Sequence, residues 1–134
     1  MKAVVSSETP VLEPVASPFT LDRKRFQEAL PPHVPTMVVN SEGLVEFTTA
    51  AGRHLLEYRP DQSMEPCFFS MVHAKNLYQV MRDVADMVCH GKPKATWLVR
   101  LRTGQGRWRW YNAAVRNDLR NSAILITLRD MHEW

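Results

Sequence analysis

From Thr36 onward the chain alternates apolar and polar residues in short runs, and one long stretch breaks that alternation with a helical period. The clearest runs flank Thr103-Gly104-Gln105-Gly106, with Ala95–Arg102 on one side and Arg107–Arg116 on the other. Two β-prone segments joined by a Gly-containing loop predict a β-hairpin. A third strand, Ala123–Leu128, follows the polar break Asn117–Ser122. Thr36–Asn40 and Leu44–Thr48, around Ser41-Glu42-Gly43, predict a second hairpin whose turn residues tolerate tight backbone angles. Between the hairpins, His73–His90 carries Leu77, Val80, Met81, Val84 and Val88 at helical spacing. Lys75, Gln79, Arg82, Asp83 and Asp86 fill its polar side, and Gly91 and Pro93 stop it. A helix of about 18 residues runs about 27 Å, enough to span a five-stranded sheet.

The remaining segments are shorter. Residues 1–18 show no period and read as a flexible leader. Residues 19–31 predict an amphipathic helix capped by Thr20, with Leu21, Phe26, Ala29 and Leu30 on one face and Pro31 and Pro32 as its stop. Thr49–Tyr58 has Ala50, Leu55 and Leu56 at helix-like spacing, and one-turn elements are expected around Pro60, Pro66 and Phe68-Phe69. Residues 35–134 form the main domain. Its order of β-β, short helices, long helix and β-β-β predicts an α+β fold on a five-stranded antiparallel sheet.

Composition narrows the class further. The chain has 134 residues, 45% of them apolar and 23% charged, which suits one soluble globular domain with a tail. No apolar run approaches the roughly 20 residues of a membrane span, and Ser6, Ser7, Glu8 and Pro10 interrupt any signal-peptide core. A cytoplasmic protein is the expectation. The two cysteines, Cys67 and Cys89, have neither disulfide-framework nor zinc-site spacing. A formal charge of +3 permits an anionic partner without demanding one.

Five short motifs, in order, resemble those of the PAS family of sensor and interaction modules, over roughly Thr36 to Glu133. Asn40-Ser41-Glu42-Gly43 resembles the family's first polar turn, and Leu55-Leu56-Glu57-Tyr58 its Leu-Leu-Gly-Tyr. Phe69-Ser70-Met71-Val72-His73 is similar to the stretch that leads to its His-Pro-Asp-Asp. Gly106-Arg107-Trp108-Arg109-Trp110 resembles its Gly-x-x-x-Trp strand opening, and Arg129-Asp130-Met131-His132-Glu133 its closing Arg-Asp-Ile-Thr-Glu. Thr48-Thr49 replaces the family's Asn-Pro, and Glu57 replaces the Gly before Tyr58. The resemblance implies a five-stranded sensory and dimerisation domain that passes a signal to an effector domain or a partner signalling protein.

Candidate chemistry is sparse. His33, His54, His73, His90 and His132 are scattered, and no HExxH, GxSxG, Walker or EF-hand pattern occurs, so no catalytic residue is assigned. The apolar helix face carries no His, so haem is not indicated. Cys67 lies where the family's flavin photosensors carry a reactive Cys, but their flanking Arg and Asn are missing, so flavin is not indicated either. The candidate pocket lining is Met37, Val39, Leu55, Leu77, Val80, Met81, Val84, Val99 and Ile126. Nothing polar converges there, which suits a small apolar ligand or a filled core.

The Arg107–Tyr111 run interleaves cations and aromatics, as single-strand binders do. Strand alternation puts Trp108 and Trp110 on one face and Arg107, Arg109 and Tyr111 on the other. That segregation favours a packed tryptophan face with solvated arginines over a nucleic-acid surface. Both faces of the sheet are partly apolar, so a second cover is needed. Leu21, Phe26, Leu30, Trp108 and Trp110 are the candidate interface residues, and a homodimer is expected.

Overall fold

The computed structural model describes residues 29–131, so the leader and the predicted contacts of Leu21 and Phe26 fall outside the described residues. Five strands form: β1 (Thr36–Asn40), β2 (Val45–Thr48), β3 (Lys94–Arg102), β4 (Trp108–Asp118) and β5 (Ala123–Asp130). They make one antiparallel sheet in the order β2-β1-β5-β4-β3. Helices α1 (Ala50–Leu55), α2 (Phe68–Met71) and α3 (Ala74–His90) occupy the crossover from β2 to β3. The last strand slots beside the first, with Met37 opposite Ile126 and Val39 opposite Ile124. The polar break after β4 is shorter than the sequence implies, because β4 runs on through Asp118 before a single 3-10 turn, Leu119–Asn121.

The local chemistry explains these boundaries. Asn40 Oδ1 accepts from the backbone N–H of Glu42 (2.8 Å) and Leu44 (3.0 Å), closing the first hairpin. Gly43 sits at φ +86°, and a Cβ there would come within 2.4 Å of the Phe69 ring, so the turn admits no side chain. Thr49 caps α1 by accepting from Gly52 N–H (3.1 Å), and its hydroxyl donates to Val34 C=O (2.7 Å). His73 caps α3 through Nδ1, which accepts from Lys75 N–H (3.1 Å), so the helix proper begins at Ala74 rather than His73.

The helix faces the sheet in a different rotation from the one its apolar pattern predicts. Val80, Asp83, Val84 and Met87 are buried, whereas Met81 (46% exposed) and Val88 (48% exposed) face solvent. Met81 therefore does not line the core. The cause is Asp83, whose carboxylate accepts from Trp97 Nε1 (2.8 Å) and from Lys92 Nζ (2.8 Å). Burial works against this carboxylate, but the hydrogen bonds from Lys92 and Trp97 hold its pKa below the usual range. A residue that sequence assigns to water thus points at β3, and Met87 turns inward with it.

The core lies between the helices and the inner face of the sheet. Trp97, Val99, Leu101, Tyr111, Ala113 and Val115 alternate inward along β3 and β4, and all are buried. On the outer face, Val38, Ala123 and Leu125 form a second small cluster against which Leu30 and Phe47 pack. Among the described residues, no helix is long and apolar enough to cross a membrane.

The helix rotation predicts unequal costs for two methionines. Met87→Ala should destabilise the fold by about 3 kcal/mol, and Met81→Ala by no more than about 0.5 kcal/mol. Urea unfolding of both variants checks this, and equal losses would refute the rotation.

Candidate functional site

The expected pocket residues, Met81 apart, lie in or at the margin of the main core cluster. Met37, Val39, Val80, Val84, Val99 and Ile126 are buried in the main core cluster, with Leu55 and Leu77 half-buried at its margin. Between them sit the fully buried side chains of Trp97, Phe68, Met71, Met87 and Tyr111. Phe68 stacks on Trp97 with centroids 6.1 Å apart and planes 22° from parallel.

A charged centre adjoins this core. Glu57, two residues past α1, reaches β4, where Arg107 Nε (3.1 Å) and Arg109 Nη1 (2.8 Å) donate to its carboxylate. The other Arg109 nitrogen, Nη2, donates to Asp130 Oδ2 at the end of β5. Arg109 points inward beside Tyr111, whose hydroxyl donates to Leu55 C=O (2.9 Å). Burial, more than the charges around it, pushes the Tyr111 phenol up to about 12. Arg109 is only 16% exposed, so the expectation of solvated arginines fails for the residue that matters most. Its partners are distant in sequence, and strand alternation alone does not reveal them.

The backbone at Glu57 is unusual, with φ +63°, a left-handed conformation that disfavours any residue with a side chain. Gly104 helps to hold this segment. Its N–H donates to Leu56 C=O (2.8 Å), and a Cβ at Gly104 would meet Glu57 O and the Tyr58 ring at 2.8 Å. The β3–β4 loop thereby docks on the turn after α1. Hydrogen bonds from Arg107, then from Thr103 and Arg109, draw the Glu57 carboxyl down to about 2 despite partial burial. A cleft of about 680 Å³ opens beside the centre, lined by His54, Tyr58, Arg59, Gln105 and Arg107 among others.

The outer face of β3 and β4 is the other exposed feature. Trp108 (46%) and Trp110 (41%) project there half-exposed rather than packed away, as does Leu98 (54%). The register sets Arg100 opposite Trp110 and Arg102 opposite Trp108. Their guanidinium carbons lie 4.6 Å and 5.8 Å from the respective ring centroids. The expected segregation of cations from aromatics therefore holds within β4 but fails across the sheet, because β3 supplies the arginines. The His73 and Trp108 rings meet near-perpendicular with centroids 4.9 Å apart, and partial burial, with Arg100 and Lys75 close by, keeps the imidazole below the usual pKa. Leu30 packs on Val38 and Leu125 at the other side of this face.

No protein-family model and no curated protein matches the chain. Solved structures do. A PAS domain from Colwellia psychrerythraea superposes with a TM-score of 0.62 at 14% identity, covering 87% of this chain and 98% of its own. The Drosophila melanogaster Cycle PAS-B domain with bound ethylene glycol gives 0.60 at 16% identity, covering 72% and 99%. A sensory box histidine kinase/response regulator from Burkholderia thailandensis gives 0.58 at 15% identity, covering 81% and 86%. The chain has the PAS fold.

Within that fold the motifs acquire structural roles. The Leu55–Tyr58 motif carries Glu57 in its left-handed turn, the Gly106–Trp110 motif carries Arg109, and the closing motif carries Asp130. Three separate motifs of the PAS fold are tied together by one guanidinium. The resemblance of Leu55–Tyr58 to a Leu-Leu-Gly-Tyr motif is a signal at Glu57, and the placement of Arg109 on the same strand face as Tyr111 is the signal that could have marked it as a cation needing a partner.

The Glu57 centre predicts a stability profile with pH. Folding lowers this pKa from 4.5 to about 2, so the stabilisation is complete above pH 4.5 and is lost as the pH falls toward 2. Glu57→Gln should melt earlier than wild type at pH 7, with the gap closing near pH 2. Glu57→Gly, which relieves the left-handed strain, should be about 1 kcal/mol more stable than Glu57→Ala. Thermal melts across pH check both, and a gap that does not change with pH would refute the assignment.

Proposed function

We propose that the chain is a non-catalytic regulatory module of a signalling protein, in which a partner's occupancy of the sheet biases the packing of the turn after α1 against β4 and β5. The observation that carries this reading is the chain of ion pairs from Glu57 through Arg109 to Asp130. It joins the turn after α1 to the end of β5. A shift at either end must either carry Arg109 with it or leave a largely buried charge without one partner, which is costly. Two discrete arrangements are therefore favoured over a graded one.

The buried aromatic and methionine side chains of the core support a partner over a small apolar ligand as the input. Trp97, Phe68 and Met87 would have to move for a ligand to enter, at the cost of well-packed contacts. The partner surface in this reading is the outer face of β3 and β4, where Trp108, Trp110 and Leu98 are exposed. A second copy of the chain, giving a homodimer, is one candidate occupant, and an effector domain or separate signalling protein is the other.

Amide hydrogen exchange tests the relay. Glu57→Ala should speed exchange at Leu128–Asp130, about tenfold or more, while the amides of α3 keep their wild-type protection. Unchanged exchange at β5 would refute the coupling. Native mass spectrometry tests the input, and the account expects the mass of the polypeptide with no bound small molecule. A stoichiometric adduct would show that the core opens to a ligand.

A further inference from the structure

The outer face carries a charge pattern that its apolar residues alone do not reveal. Lys94, Arg100 and Arg102 face outward on β3, Arg116 on β4 and Arg129 on β5, as their register with outward neighbours requires. Among the described residues, the one carboxylate at an outward position of these strands is Asp118, at the far end of β4, where Asn121 Nδ2 donates to it (2.8 Å). Glu46 lies on the opposite edge strand, β2, and accepts from Asn40 Nδ2 (2.9 Å). The centre of the face is apolar or neutral, with Leu98, Trp108, Trp110, Asn112 and Ala114. A hollow of about 530 Å³ adjoins it, lined by Pro35, Asn112, Ala114, Thr127 and Arg129 among others. It opens where β5 runs on past the start of β1.

We infer that this face docks an acidic, partly apolar segment of another protein, and not a second copy of this chain. The inference deepens the regulatory-module reading and rests on it. A two-fold contact centred here would set one cationic face against its own image, since such an interface is self-complementary by symmetry. Like-charge juxtaposition across an interface costs several kcal/mol, and no outward carboxylate at the centre offsets it. Residues 1–28 carry no net charge to complement it, with Lys2, Arg23, Lys24 and Arg25 against Glu8, Glu13, Asp22 and Glu28.

Carboxylates fit the arginines as they stand. Arg100 lies over Trp110 and Arg102 near Trp108, so each guanidinium is already oriented and loses little freedom on pairing. The partner's apolar side chains would cover Leu98, Trp110 and Ala114, since aromatic and arginine side chains anchor interfaces of this kind. A nucleic-acid strand fits less well. Arg100 covers Trp110, and Arg102 and the His73 ring crowd Trp108, which leaves less open ring surface for bases to stack on.

The test titrates three probes against the full chain. They are an amphipathic peptide of Glu, Leu and Phe, the same peptide with Lys for every Glu, and a thymidine oligonucleotide. At about 0.05 M salt the acidic peptide should bind at least about 30-fold tighter than its Lys counterpart, weakening about tenfold at about 0.5 M. Arg102→Glu, and separately Lys94→Glu with Arg116→Glu at the other end of the face, should each reduce that affinity with melting temperature unchanged. Equal binding of the two peptides overturns the inference, as does tighter binding of the oligonucleotide. A dimer in sedimentation that dissociates on Trp110→Ala also overturns it, by making the face a self-interface. The hydrogen-exchange comparison of Glu57→Ala with wild type is made without any peptide, so failure of this inference and failure of the module reading give different patterns.

Discussion

Arg109 is a cation turned into the covered side of a sheet whose inner face is otherwise mostly apolar, and its two carboxylates make that placement affordable. Glu57 and Asp130 are far apart in the sequence, one in the turn after α1 and the other at the end of β5. Removing either leaves a largely buried charge short of a partner, so the positions of the turn and of the last strand are not independent. The left-handed backbone at Glu57 makes the same point from the other side. A conformation that glycine adopts freely is here held by a side chain whose ion pairs compensate for the strain. Glu57 therefore acts as a tether at this left-handed position.

Most of the fold was legible because its signals are local. The turn residues Asn40 to Gly43, the loop Thr103 to Gly106 and the stop at Gly91 mark element ends by backbone chemistry that needs no distant partner. Strand parity separated the two faces of each strand, and the five strands follow, but on β4 it assigned packing to Trp108 and Trp110, whereas Tyr111, Ala113 and Val115 turn inward. The rotation of α3 was not legible, because it depends on Asp83 meeting Trp97 and Lys92 across the core. Hydrophobicity places an aspartate in water, and a pattern built on that rule puts Met81 inside and leaves Met87 out. The Glu57–Arg109–Asp130 centre was hidden for the same reason. Each member could be placed on an element, but the contact between them is a property of the sheet order.

The two faces of the sheet now have distinct characters. The inner face closes on a core in which Trp97, Phe68 and Met87 occupy the room a ligand would need. The outer face keeps Trp108, Trp110 and Leu98 in solvent beneath a set of cations contributed by three strands. In the proposed reading, the exposed cationic surface rather than the buried core meets the partner. The proximity of Arg109 and Trp110 in sequence, on opposite faces of one strand, puts the proposed input surface one peptide bond from the relay.

The central claim is that Glu57 and Asp130 act as one unit through Arg109, and a double-mutant cycle measures it most directly. Glu57→Gln, Asp130→Asn and the double variant, each unfolded in urea at pH 7, yield the coupling free energy between the two carboxylates. The account predicts non-additivity of at least about 0.5 kcal/mol that disappears when Arg109 is replaced by Met. Additivity within about 0.3 kcal/mol would contradict it, because the turn after α1 and the end of β5 would then be independent.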